Sequence, residues 1–144
     1  DVLSFAVGHI PACDRVVVFG NVGHLLEVNA KQIEGMITEG IIEVAPLAYM
    51  RGRTFKNAYI IADECQNTTV NQMKMLLTRL GEGSKMVVTG DLAQADRLSD
   101  NGLIDFCNLL EQKEYLEHID IIRFDHKDIE RHNAVKEVLA VYGE

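Results

Sequence analysis

At 144 residues the chain has room for one domain with a hydrophobic core. Apolar residues make up 47%, charged residues 25% and the formal charge is −8, a globular composition whose surface as a whole repels nucleic acid and anionic membranes. No apolar run approaches the roughly 18 residues of a membrane span and no signal-peptide pattern opens the sequence, so a membrane protein is not expected.

The elements read in chain order as follows. RVVVF (Arg15–Phe19) is strand-like, and a helical pattern covers residues 24–38. Between them FGNVGHLL offers Gly20, Gly23 and then His24, which reads as a tight turn that needs glycine. A second strand is expected over residues 41–45, then the loop PLAYMRGRTFKN, residues 46–57. Arg51, Arg53 and Lys56 make that loop locally basic, with Tyr49 and Phe55 interleaved. A guanidinium there could clamp a phosphate and an aromatic ring could stack on a base, or the loop is simply solvated with its Phe folded in.

AYIIA (Ala58–Ala62) is a third strand. It ends in Asp63 and Glu64, followed by Gln66, Asn67 and two threonines. Two acids at the tip of a buried strand suit magnesium-nucleotide hydrolysis. The first would sit near Mg²⁺ through water, and the second would orient or deprotonate the attacking water. The alternative is a solvated loop whose acids favour the positive end of the next helix.

That helix is expected over residues 70–80, with Met73, Leu76, Leu77 and Leu80 on one face. Thr69 and Gln72 form a capping-box pair at its start, and Gly81 is expected to supply a left-handed residue at its end. KMVVT (Lys85–Thr89) is a fourth buried strand, and in VVTGDLAQ, residues 87–94, it runs out into Gly90, then Asp91, then Gln94. A helix over residues 103–111 follows, then the strand IDIIRF (Ile119–Phe124). The last helix carries Val135, Val138, Leu139 and Tyr142 in one stripe and stops at Gly143, with Asp128 as the expected N-cap. Arg131 lies near its start, where the helix dipole disfavours a cation; an anion nearby is implied, either Asp128, Glu130 or a phosphate.

Near-continuous apolar strands alternating with helices specify an α/β domain with a mainly parallel sheet. In such sheets ligands bind beyond the carboxyl ends of the strands, where Asp63–Glu64 and Gly90–Asp91 fall. The cysteines Cys13, Cys65 and Cys107 are odd in number and far apart, which argues against a disulfide framework or a CxxC zinc site and for a reducing, cytoplasmic setting. His9, His24, His118, His126 and His132 show no metal-ligand spacing.

Taken together, IIEVAPLAYMRGRTF, AYIIADECQNTT, QMKMLLTRLGEGSKMVVTGD with Gln94, and IIRFDHKDIERHNAVKEVLAVY resemble the PhoH family. The resemblance implies a RecA-like P-loop fold, a three-layer sandwich with a mainly parallel sheet. It implies ATP with Mg²⁺ as ligand, ATP hydrolysis and RNA as a candidate partner; separately, a sheet without its first strand and helix would expose an edge and apolar surface, so a homo-oligomer is expected. By this resemblance Asp63 and Glu64 match the Walker B acids, with Asp63 toward Mg²⁺ through water and Glu64 catalytic, and Gln66 and Asn67 complete that signature. Thr89, Gly90, Asp91 and Gln94 match the sensor strand, Arg51 and Arg53 the MRGRT loop, and Arg131 an arginine that could serve as sensor or finger.

Residues 32–144 form the family-like core of a single domain, and residues 1–31 read as divergent or inserted. Cys65 stands where the family usually has Ala. No GxxxxGK[ST] occurs in the sequence, so the phosphate loop is expected upstream of Asp1, the domain being incomplete at its N-terminus. A degenerate ATPase, or a site completed by a partner, stays open. On either count these residues alone are not expected to hydrolyse ATP, because positioning of the phosphates is most of the catalysis. The competing function is a binding module that has lost the phosphate loop and holds RNA or a partner through the basic loop.

Overall fold

In the computed structural model, which describes residues 2–7, 14–19, 30–96, 99–124, 128 and 132–143, six strands form one sheet. They are β1 (Val2–Val7), β2 (Arg15–Phe19), β3 (Ile42–Val44), β4 (Ala58–Ala62), β5 (Lys85–Asp91) and β6 (Ile119–Phe124), in spatial order β3-β2-β4-β5-β1-β6. The helices among the described residues are α1 (Ala30–Thr38), α2 (Val70–Leu77), α3 (Gly102–Glu111) and α4 (Asn133–Tyr142). The α/β class with a mainly parallel sheet is as the sequence implies: β3, β2, β4 and β5 form one parallel block. None of the helices is long and apolar enough to cross a membrane.

Alternation decides which way each strand faces. In β4, Ala58, Ile60 and Ala62 are buried while Tyr59 and Ile61 are half-buried; in β5, Met86, Val88 and Gly90 are buried while Lys85, Val87, Thr89 and Asp91 are half-buried. The buried set meets Met73 and Leu76 of α2 and Leu103 and Cys107 of α3 in a single core with Phe55 and Met50. The register pairs Ala62 with Val88. One step further along, Asp63 and Thr89 therefore stand side by side on the opposite face from α2 and α3.

Local signals account for most of the elements. Helix α2 begins with the full capping box: the Gln72 N–H donates to Thr69 Oγ1 and the Thr69 N–H to Gln72 Oε1. It ends earlier than its apolar period suggests, at Leu77. There the Thr78 hydroxyl donates to the carbonyls of Lys74 and Met75 at 2.9 and 3.1 Å and occupies the terminal acceptors. Gly81 is not left-handed, as expected of it; it is required by close approach instead. A Cβ there would lie 2.5 Å from the Phe55 carbonyl oxygen, to which the Gly81 N–H donates at 2.8 Å.

The N-cap of α4 is His132, whose Nδ1 accepts from the Ala134 N–H at 3.2 Å, and not Asp128. Asp128 lies too far ahead of Asn133 to reach the first free N–H groups of the helix. Gly143 closes α4 in the left-handed region as expected, at φ 79.

The sequence reading assigned no element to VLSFAV. It forms β1, which runs antiparallel to both β5 and β6 and so keeps β6 parallel to β5 across one intervening strand. Residues 20–29, with Gly20, Gly23 and His24, lie outside the described residues, so the expected helix over 24–38 is described from Ala30 onward.

Gly102 and Gly35 behave oppositely. A Cβ at Gly102 would sit against the carbonyl oxygen of Thr69 and 2.7 Å from Met73 Cβ; at Gly35, inside α1, it would meet nothing within 4 Å. Gly102→Ala is expected to destabilise by about 1–3 kcal/mol through overpacking, and Gly35→Ala to stabilise by roughly 0.5–1 kcal/mol through helix propensity. Urea unfolding midpoints of the two variants check the pair.

Candidate functional site

The chain turns sharply where β4 ends. The Asp63 N–H still donates to the Phe19 carbonyl at 2.8 Å, which closes the edge of the parallel block. Glu64 then takes the left-handed conformation, φ 58 and ψ 39, and residues 65–67 form one 3₁₀ turn. A non-glycine residue in that region costs about 1 kcal/mol or more, and such strain collects where a side chain must be aimed. Its effect here is to bring the second carboxylate out beside the first.

The first carboxylate is held laterally. The Thr89 hydroxyl donates to Asp63 Oδ1 at 2.5 Å. The second is held from behind: the Gln66 amide donates to Glu64 Oε2 at 2.7 Å. Cys65 is buried between the two acids. Burial, then the charges of Asp63 and Glu64, push its thiol up to about 12, so it remains a neutral S–H and fills space.

Beyond β5 the next acid is also engaged. Asp91 accepts from the Ala93 N–H at 3.0 Å and from the Gln94 amide at 2.9 Å. Burial opposes ionisation there, yet these two donors hold the Asp91 carboxyl below its ordinary range. Asn67 accepts from the Asp96 N–H at 2.9 Å, which laces the segment after β5 to the acid-bearing turn.

Most of the residues picked from the sequence thus meet at one end of the sheet. At the tips of β4 and β5, Asp63 pairs with Thr89, a chain of hydrogen bonds runs Glu64–Gln66–Asp91–Gln94, Gly90 lies close against Gln66, and Asn67 accepts from the Asp96 N–H. The two arginines separate. Arg53 pairs with Glu43 of β3 at 2.5 Å, and its guanidinium lies 4.6 Å from the Phe55 ring centroid. Arg15 shares the same carboxylate at 3.3 Å and the same ring at 5.7 Å. Arg53 is therefore committed to the flank of the sheet, while Arg51 is exposed next to Tyr49, itself 74% exposed. Arg131 lies outside the described residues.

Three residues of the site escaped the sequence reading: Thr68, Asn101 and Gly102. Asn101 is buried, caps α3 through the N–H groups of Leu103 and Ile104, and donates its Nδ2 to the Gln66 carbonyl at 2.6 Å. The Gly102 N–H donates to the Thr68 carbonyl at 2.7 Å. The available signal was the string SDNG before an apolar helical run, which marks an N-cap but not what the cap touches.

Among the described residues no three His, Cys, Asp or Glu side chains cluster as direct metal ligands. The donor set fits a hard divalent cation that keeps most of its water and meets one carboxylate at second hand, with Asp63 aligned by Thr89. No GxxxxGK[ST] string occurs in the sequence.

A family model described as PhoH-like protein matches residues 18–143; the match begins 14 residues ahead of position 32. A PhoH-like protein of Bacillus subtilis is 48% identical over 118 residues, 80% of this chain and 36% of that protein. One of Mycobacterium tuberculosis strain H37Rv is 48% identical over 113 residues, 77% of this chain and 31% of that protein. Protein PhoH of Escherichia coli K12 is 48% identical over 106 residues, covering 72% and 29% respectively. The chain spans about a third of the length of the curated relatives it matches.

The left-handed backbone at Glu64 inverts the usual order of substitutions. Glu64→Gly is expected to be more stable than Glu64→Ala by about 1 kcal/mol, because only glycine relieves the strain. Thermal unfolding of the two variants side by side reads the difference; Ala at or above Gly would mean that the left-handed turn is not kept.

Proposed function

Since the chain belongs to the PhoH family, we propose that the tips of β4 and β5 form the metal-facing and water-orienting part of an Mg²⁺-ATP hydrolysing site. The observation that carries this is the Asp63–Thr89 pair at the carboxyl ends of adjacent parallel strands, with Glu64 turned out beside it. Asp63 would hold the hydrated cation. When bound, that cation supplies charge neutralisation on the phosphate oxygens. Glu64, exposed and hydrogen-bonded through one oxygen to Gln66, has its other oxygen available to accept a proton from, or orient, the attacking water. Thr89 keeps the Asp63 carboxylate in one rotamer, and Asp91 with Gln94 borders the same space.

Arg51 is the phosphate-clamping candidate of the MRGRT loop, since Arg53 is engaged by Glu43. The phosphates themselves need a loop that the sequence of these residues does not contain. The second reading, a binding module for RNA or a protein partner, draws on Tyr49 and Arg51, which are exposed two positions apart on one loop.

In the natural full-length protein, Glu64→Gln is expected to lower ATP turnover by about a hundredfold or more while Mg²⁺-ATP affinity stays within about threefold of wild type. Steady-state phosphate release and equilibrium nucleotide binding measure the two. Undiminished turnover removes Glu64 from its role. Salt-dependent RNA binding lost in Arg51→Ala, without any ATP turnover in the wild type, favours the binding module.

A further inference from the structure

Gln66 is 4% exposed, far more buried than the acids it adjoins. Its side-chain amide does two jobs at once. Nε2 donates to Glu64 Oε2 at 2.7 Å, and Oε1 accepts from the Asp91 N–H at 3.4 Å. The orientation of the amide follows from those partners, since the carboxylate needs a donor and the N–H needs an acceptor. Its own carbonyl takes the Asn101 Nδ2 at 2.6 Å. Among the described residues no buried side-chain nitrogen or oxygen is left without a partner, and both polar atoms of the Gln66 amide are engaged within the protein.

The neighbours are built around this side chain. Gly90 is buried between Leu103 and this residue: a Cβ there would lie 2.5 Å from Leu103 Cδ2, 3.1 Å from the Gln66 backbone nitrogen and 3.3 Å from Gln66 Oε1. Asn101, also 4% exposed, ties the start of α3 to the same turn. The backbone of β5 and the carboxylate of Glu64 are thus joined through one planar amide, while the cap of α3 holds the same residue by its backbone carbonyl.

We propose that Gln66 is a positioning residue that couples the tip of β5 to the aim of Glu64, rather than a residue that touches nucleotide. A displacement of Gly90–Asp91 along β5 moves the amide, and the amide carries the Glu64 carboxylate with it. A glutamine fits because it places one donor and one acceptor on a rigid plane at the reach this gap requires. Leucine fills similar volume with neither. The consequence for turnover rests on the Mg²⁺-ATP reading above; the mechanical coupling does not.

The test has two arms, both in the natural full-length protein. In the first, selective ¹⁵N-glutamine labelling follows the Gln66 side-chain amide in wild type and in Glu64→Ala, and amide exchange at Asp91 is compared between wild type and Gln66→Leu. The expected result is a single, slowly exchanging Gln66 amide that shifts in Glu64→Ala, with faster Asp91 exchange in Gln66→Leu. A Gln66 amide that is averaged with solvent and blind to Glu64→Ala overturns the proposal, whatever the protein hydrolyses. In the second arm, Gln66→Leu is expected to lose about 10–100-fold in kcat, the usual cost of removing a residue that orients a reacting group, with KM for Mg²⁺-ATP within about twofold of wild type. A raised KM at unchanged kcat makes Gln66 a ligand and also overturns it. Wild type without turnover sinks the ATPase reading and leaves the coupling to be decided by the first arm.

Discussion

The register of β4 against β5 is the constraint from which the rest follows. Ala62 opposite Val88 puts two apolar pairs, Ile60–Met86 and Ala62–Val88, on the core face and, one residue on, places Asp63 opposite Thr89 on the other. A slip of one residue would bury Asp63 among Met73 and Leu76 and turn Val88 toward the acids, because strand side chains alternate. The register is in turn pinned by the core: Ile60 and Ala62 must meet α2, and Met86 and Val88 must meet α2 and α3. Apolar packing thereby fixes the position of a polar pair to within a hydrogen bond.

The second constraint is closeness. α3 can start at Gly102 only because that residue has no Cβ to strike the Thr69 carbonyl, and β5 can pass between Leu103 and Gln66 because Gly90 has no Cβ to strike the Leu103 side chain. Both glycines have negative φ and gain nothing from conformational freedom. They permit two backbones to approach, after which Asn101 and the Gly102 N–H close the gap by hydrogen bonds to residues 66 and 68. The acid-bearing turn is thus clamped on its core side, while Asp63 and Glu64 keep their other side open.

Sequence pattern conveyed the parts of this that are local. Strand runs at Arg15–Phe19, Ala58–Ala62 and Ile119–Phe124, the capping box at Thr69–Gln72 and the left-handed Gly143 all depend on neighbours within a few positions. The acids and the sensor-strand residues were legible because two adjacent strands ended in polar runs. What was hidden depends on distant partners. Arg53 looks like a free cation in MRGRT until Glu43 and Phe55 are folded against it. Gly81 looks like a helix stop until Phe55 crosses it. β1 finds its place antiparallel between β5 and β6, a pairing that its own six residues do not encode. Gln66 looks like one more exposed polar group near the acids until the turn folds it in, to 4% exposure.

The choice of donors around the acids has a consequence for charge. Thr89 holds Asp63 through a hydroxyl, and Gln66 holds Glu64 through an amide; both donors are neutral. A lysine or arginine in either place would orient the carboxylate equally well and cancel its charge. Arginine is available in this fold, yet Arg15 and Arg53 are both spent on Glu43 at the flank of the sheet. Neutral donors fix direction without adding a compensating cation, on a chain whose formal charge is already −8. Such a pair of carboxylates repels a bare phosphate and attracts a divalent cation. On the proposed Mg²⁺-ATP reading, a polyphosphate would therefore meet this surface as its metal complex.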